Sequence, residues 1–223
     1  MDADISESLK IIRYNVEEAK AKYRKPDDIV RIMAVTKTVP YERVNEAVKQ
    51  GITLLGENRV QEYLEKKDFY DKNAEINFIG HLQSNKIKYI IDSVTMIHSV
   101  DTEKLAAEID RFAEKAGRQM DVLLEVNIGE EDSKSGASPG TVPELLDRIA
   151  EMKNIRVRGL MTIPPIGESE KAFDRMRTLF DDLKAKHPDM DTLSMGMSAD
   201  YALAVKYGSN IVRIGSGIFG SRK

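Results

Sequence analysis

The sequence predicts an α/β protein: a single (β/α)8 barrel of the TIM type over residues 1–223, with an extra helix at its N-terminus. Three observations carry that reading. Strand-length apolar segments alternate with helix-length amphipathic segments from end to end, and parallel strands need such crossover connections. There are about eight of these strands, in a length that suits a barrel. The strands are short and continuously apolar, as expected when both faces of a sheet are covered. An open doubly wound sheet is the rival, weakened because no G-x-G-x-x-G follows the first strand.

The elements follow in order. Ile5, Leu9, Ile12, Val16 and Ala19 recur at helical spacing over residues 3–24, with charges between them, and Pro26 breaks the pattern. IVRIMAVTK (29–37) is the first strand. Pro40 is placed in the first turn of YERVNEAVKQ (41–50), a helix stopped by Gly51. ITLLG (52–56) and helix ENRVQEYLEKK (57–67) come next, then strand INFIG (76–80) and helix SNKIKYII (84–91). Strand VTMIHSV (94–100) precedes a helix over 101–117, capped by Asp101 or Thr102. MDVLLEVNI (120–128), PELLDRIAEM (143–152), IRVRGLM (155–161) and a helix over 169–187 continue the alternation. DTLSMG (191–196), helix SADYALAVKYG (198–208) and NIVRIG (210–215) complete it. No linker-like stretch and no repeat beyond the strand–helix unit divides the chain. Residues 129–143 form a long, polar, glycine-containing loop after the fifth strand, where a barrel places its active face.

Composition narrows the function. Hydrophobic residues are 41% of the chain, enough for a sizeable core, and the net charge of −3 gives no reason to expect a nucleic-acid or anionic-membrane surface. There is no cysteine, which excludes thiolate nucleophiles, thiolate metal sites and disulfides. The start, MDADISESLK, is acidic and polar, unlike a signal peptide, and no apolar run is long enough to span a bilayer. A cytoplasmic protein is expected.

In a barrel the C-terminal ends of the strands build the site. Those ends read Lys37, then Gly56-Glu57-Asn58, GHLQSNK from Gly80, His98, Asn127, the Met161–Pro165 segment, SMGMS from Ser194, and RIGSG from Arg213. Phosphate groups in this fold bind at loops after the seventh and eighth strands. Ser198 stands where it can cap the helix after the seventh strand. Gly215-Ser216-Gly217 lets backbone amides approach an anion closely. Singly, these fit an N-cap and an ordinary turn; together they fall on the two expected strand ends. Beside such a site Lys37 is more than a solvated strand-end lysine, because partial desolvation favours the neutral amine that attacks a carbonyl. The combination implies a phosphorylated aldehyde or ketone. Pyridoxal phosphate and a sugar phosphate in a Schiff-base aldolase both satisfy it.

Arg213 bears on the choice. A strand arginine facing a barrel interior needs partners, and it can only donate. Against a pyridine nitrogen it would keep that nitrogen unprotonated and weaken the ring as an electron sink; its plain role is a salt bridge to a carboxylate. His81, His98 and His187 lack metal-ligand spacing. His81 and His98 are site neighbours or structural histidines, and His187 is a surface residue. The ten methionines are mainly core filling, with Met195 and Met197 as pocket lining.

AVTKT, GENRVQE, FIGHLQSNK, HSVD, VNI followed by SKSG, RGLM, LSMGMSADY and VRIGSGIFG occur in this order over nearly the whole chain. Together they closely resemble the pyridoxal phosphate homeostasis protein family, also called YggS or PROSC. The resemblance implies a barrel like the N-terminal domain of alanine racemase, and pyridoxal 5'-phosphate as the cofactor, held by Lys37 as an internal aldimine. It implies Asn58 beside the cofactor, Ser198, Gly215 and Ser216 on the phosphate, Arg213 facing the pyridine nitrogen, and Lys134 in a loop near the site. It further implies a carrier or buffer in vitamin B6 homeostasis, with apo forms of cofactor-dependent enzymes as recipients. Robust catalysis is not expected: alanine racemase takes a tyrosine base from a second domain, and this chain stops at Lys223 after the last strand. The alternatives are a small amino-acid racemase and the aldolase. A monomer is expected, with a dimer as the other possibility.

Overall fold

The computed structural model describes residues 4–220. Residue 3 of the first predicted helix and residues 221–223 of the closing SGIFGSRK lie outside that range. Helix α1 is Ile5–Tyr23, and Asp4 caps it by accepting from the amides of Ser6 (2.9 Å) and Glu7 (3.2 Å). Its five predicted apolar positions are all buried. Eight parallel strands then close into a barrel in sequence order: β1 Arg31–Val35, β2 Leu54–Glu57, β3 Glu75–Phe78, β4 Met96–Val100, β5 Met120–Glu125, β6 Ile155–Met161, β7 Thr192–Ser194 and β8 Ile211–Ile214. Pairing of Arg31 with Ile211 and Ala34 with Ile214 shuts the ring.

The covering helices are α2 Tyr41–Lys49, α3 Val60–Lys66, α4 Glu103–Lys115, α5 Val142–Ala150, α6 Ser169–Lys184, α7 Tyr201–Lys206 and the single turn α8 Ser216–Phe219. Because α8 is so short, α1 does the covering there, packing on α7 and α8. Asn15 donates to the Tyr201 hydroxyl (2.8 Å) and Arg24 to the Ser209 carbonyl (3.0 Å) to hold it.

Three local expectations are corrected. Residues 84–91 form a 3-10 turn, Ser84–Tyr89, instead of an α-helix; Ile87 and Ile90, three apart and both buried, suit three residues per turn. Pro40 stands at the N-cap of α2 and not inside its first turn. The helix after β7 begins at Tyr201 and its cap position is Asp200, so Ser198 is not a cap; Asp200 Oδ1 accepts from the Met197 amide at 2.7 Å.

Period-two alternation sorts the strand residues into layers. Ala34, Leu55, Phe78, Ile97, Leu193, Val212 and Ile214 face the helices in the main core. Met33, Leu54, Ile79 and Ile211 form a separate cluster inside the bore. β6 carries a bulge: Val157 pairs with Val122 and Gly159 with Leu123, leaving Arg158 as the extra residue. At the N-terminal end, charges pair across strands. Arg156 meets Asp121 at 2.7 Å, Arg158 meets Asp121 at 2.8 Å and also Asp191, and Arg31 meets Glu75.

A lysine and phosphate-type loops around one cavity

At the C-terminal end of the barrel lies a cavity of about 340 Å³, within the range of small-ligand pockets. Lys37, Asn58, Ser198, Arg213, Gly215 and Ser216 all line it. These are the six residues that the resemblance sets around the cofactor, brought together from the ends of β1, β2, β7 and β8. Its apolar wall comes from Val35, Val39, Ile79, Met161, Ile163 and Phe219. A groove of about 870 Å³ at the opposite end is larger, but two of its arginines already pair with carboxylates in its own lining, Arg24 with Asp28 and Arg177 with Asp181, each at 2.6 Å.

Local geometry explains each placement. Lys37 is half-buried and stands two residues beyond the end of β1, after Thr36. Asn58 is fixed by a close backbone approach: a Cβ on Gly80 would sit 2.0 Å from the Asn58 carbonyl oxygen, so only glycine fits there. The Asn58 side-chain oxygen is buried with no hydrogen-bond partner. An acceptor in that state wants a donor from a ligand. The loops after β7 and β8 are tied where the Gly217 amide donates to Ser198 Oγ at 3.0 Å.

Arg213 is buried, and the salt bridge that was its plainer alternative is not made: no ion pair among the described residues includes it. Its guanidinium donates instead to the Ser194 carbonyl (2.7 Å), Ser194 Oγ (2.9 Å) and the Thr162 carbonyl (2.8 Å). Burial pushes its pKa down to about 10, which leaves it charged at neutral pH.

A directional chain supports that charge from below. Asn77 Nδ2 donates to Thr95 Oγ1 at 2.7 Å, so Asn77 Oδ1 accepts from His98 Nε2 at 2.8 Å. His98 Nδ1 is then an acceptor for the Ser194 hydroxyl at 3.2 Å, and Ser194 Oγ accepts from Arg213. Each group donates one step further from the cavity. His98, expected among the strand-end residues, is therefore interior and fully buried. Burial first, then the charges of Arg213 and Arg31, hold its pKa well below the ordinary histidine value. The folded state binds fewer protons here than the unfolded chain, so this group lowers stability as pH falls below about 6.5, by up to about 1.4 kcal/mol per pH unit. Glu57 and Glu125, raised by burial, act in the opposite sense near the carboxylate range. Urea unfolding of the native protein and of His98→Gln between about pH 5 and 7.5 isolates the histidine. The stability difference between the two should change with pH, and a constant difference would remove His98 from this role.

Three expected site residues lie off the cavity lining. Met195 is fully buried in the outer core, because one step along from the inward Ser194 it must face outward; Met197 lines the cavity because the strand has ended at Ser194 and Gly196, at φ +90, turns the chain. His81 is exposed. Lys134 pairs with Glu131 and donates to the Pro164 carbonyl at 3.2 Å, tying the 129–143 loop to the loop after β6. Asn127 orders that loop from within, donating to the Glu131 carbonyl at 2.8 Å, and Ser135 anchors it to Glu125 at 3.1 Å.

A family model described as alanine racemase, N-terminal domain, matches residues 8–223. The pyridoxal phosphate homeostasis protein of Aquifex aeolicus is 40% identical over 223 residues, covering 97% of this chain and 98% of that protein. The chain belongs to the pyridoxal phosphate homeostasis protein family. PipY of Synechococcus elongatus, solved with PLP bound, superposes with a TM-score of 0.82 at 32% identity, covering 97% of this chain and 100% of that one. Alanine racemase of Clostridium difficile shares the fold, with a TM-score of 0.75 at 17% identity over 96% of this chain and 57% of that one. The residues of this family member accommodate such a cofactor chemically: an amine for an aldehyde, hydroxyls and glycine amides for a phosphate, and a buried unpartnered acceptor. No helix among the described residues is long and apolar enough to cross a membrane.

Proposed function

We propose that this protein binds pyridoxal 5'-phosphate through Lys37 and serves as an intracellular carrier or buffer of it. The observation that carries the reading is the convergence of Lys37 with Ser198, Gly215, Ser216 and Arg213 on one cavity. PLP bound to the related PipY supports it. When bound, the cofactor supplies an aldehyde that a primary amine can capture. Lys37 provides that amine. Ser198 and Ser216 donate hydroxyls to phosphate, Gly215 brings backbone close to it, and Arg213 presents a donor-only group to the ring nitrogen.

Catalysis beyond capture needs a second proton-transfer group. Among the described residues lining the cavity, Lys37 is the only side chain of that kind; no histidine, tyrosine, aspartate or glutamate joins it. That supports a holding role over racemisation. The recipients would be apo-enzymes that need the cofactor, in the cytoplasm, and the working unit would be a single domain over residues 1–223 acting as a monomer.

The test is a spectrum of the purified protein with pyridoxal phosphate, before and after an apo-enzyme is added. A visible band that borohydride fixes onto Lys37, and that declines as the enzyme becomes active, is expected. Exchange of the α-proton of alanine in deuterated water well above that of free cofactor would favour a racemase. A colourless protein trapped by borohydride with a sugar phosphate would favour an aldolase. For the phosphate loops, Ser216→Ala should weaken binding of pyridoxal phosphate by about 1.5 kcal/mol, roughly tenfold. Binding of pyridoxal, which has no phosphate, should not change. Equal losses for both ligands would place Ser216 elsewhere.

A further inference from the structure

The turn that carries Lys37 is held from the side by α3. Lys66 is nine-tenths buried, and its ammonium donates to the carbonyls of Thr36 (3.0 Å) and Val39 (3.2 Å) and to Glu62 Oε1 (2.7 Å). The same Glu62 oxygen accepts from the Thr38 amide at 2.6 Å. Thr38 has φ +63, a left-handed conformation that β-branched residues rarely adopt. The Thr36 amide and hydroxyl both donate to the Gly56 carbonyl, at 3.1 and 3.2 Å, and the Val39 amide donates to Thr36 at 3.0 Å. Behind Lys66 stands the buried Glu57, 3.8 Å away, which accepts from the Tyr70 hydroxyl. Residues on both sides of Lys37 are thus pinned by one ion-paired unit on α3.

Burying an ammonium to hold backbone carbonyls is costly where an apolar side chain would fill the space. What the ion pair adds is direction: it holds a strained turn in one conformation. We propose that Lys66 and Glu62 are positioning residues for Lys37, fixing the turn so that its amine meets the ligand's aldehyde in reacting geometry. This rests on the cofactor reading above. The step they assist is a condensation: the Lys37 nitrogen bonds to the aldehyde carbon, the carbonyl oxygen leaves as one water, and the amine protons go with it or to solvent.

The test separates binding from condensation. Stopped-flow growth of the visible band with pyridoxal phosphate reports condensation. Affinity for pyridoxamine 5'-phosphate, which has the same ring and phosphate but an amine in place of the aldehyde, reports the pocket alone. Lys66→Met should slow condensation by about tenfold or more, since small misplacements of a reacting group are expensive. Its affinity for pyridoxamine phosphate should stay within about twofold of native, a shift too small to reflect a collapsed site. Glu62→Gln should slow condensation less, and Lys66→Arg should recover part of the rate. If Lys66→Met does not fold by circular dichroism, Glu62→Gln decides. Unchanged rates in the folded variants would overturn the proposal, as would rate losses matched by equal losses of pyridoxamine phosphate affinity. A native protein that forms no band would overturn the cofactor reading, and this inference with it.

Discussion

Replacing Lys37 with alanine is expected to abolish the visible absorption the protein gains with pyridoxal phosphate, and borohydride should then fix no cofactor to the chain. Lys37 is the one lysine lining the cavity among the described residues, so no other amine there can take its place. The phosphate loops and Arg213 remain, and binding should persist in a weaker form. A loss on the order of 100-fold, about 2.8 kcal/mol, is the expected size. Lys37→Arg sharpens the result: it keeps a positive charge but offers no reactive amine, and should behave like the alanine variant in the spectrum. If either variant kept the native band, the attachment would lie elsewhere.

Gly159→Ala is expected to be the most damaging single methyl in the barrel. Gly159 follows the bulged residue of β6 at φ +155, and a Cβ there would lie 1.7 Å from the Thr192 carbonyl oxygen of β7. Backbone cannot yield as a flexible side chain does, so strand separation or a lost ladder bond must follow. A cost of about 3 kcal/mol or more is expected, with a fall in thermal midpoint of roughly 6–12 °C for a chain of this size. The damage should reach the ligand. The bulge sets the phase of Met161 and Thr162, and β7 carries Ser194, which with Thr162 accepts from Arg213. A midpoint within about 2 °C of native would mean the strands slide apart freely there, contrary to a rigid barrel.

Much of this was legible in the sequence, for identifiable reasons. Strand count and order follow from apolar runs separated by helical periodicity, and the polar residues at strand ends fall on one face once the barrel is drawn. That set Lys37, Asn58, Ser198, Arg213, Gly215 and Ser216 at one end of the barrel, where they line one cavity. Errors arose where one residue of phase matters. Met195 and Met197 look alike in SMGMS and stand two apart, so alternation alone gives them one face; Met197 reaches the cavity because β7 ends at Ser194 and Gly196 turns the backbone at φ +90. His98 looks like a strand-end residue until its interior neighbours Asn77 and Ser194 are seen. The α3 clamp had no sequence signature, because Lys66 and Glu62 read as an ordinary i, i+4 surface pair on an amphipathic helix. Their real partners are backbone carbonyls and an amide some thirty positions away along the chain. The apolar lining was missed in part for a similar reason: Val35 belongs to the bore only because Met33 does.

Met33, Leu54, Ile211, His98 and Ser194 are almost wholly screened from solvent, and they fill the bore beneath the cavity. Paired charges cover the far end. The barrel is therefore a cup and not a tube. Whatever enters the cavity must leave through the same rim, between the loops that carry Lys37, Ser198 and Ser216. Loading and unloading cannot be set independently by two gates, and a molecule resting on the rim would slow both together.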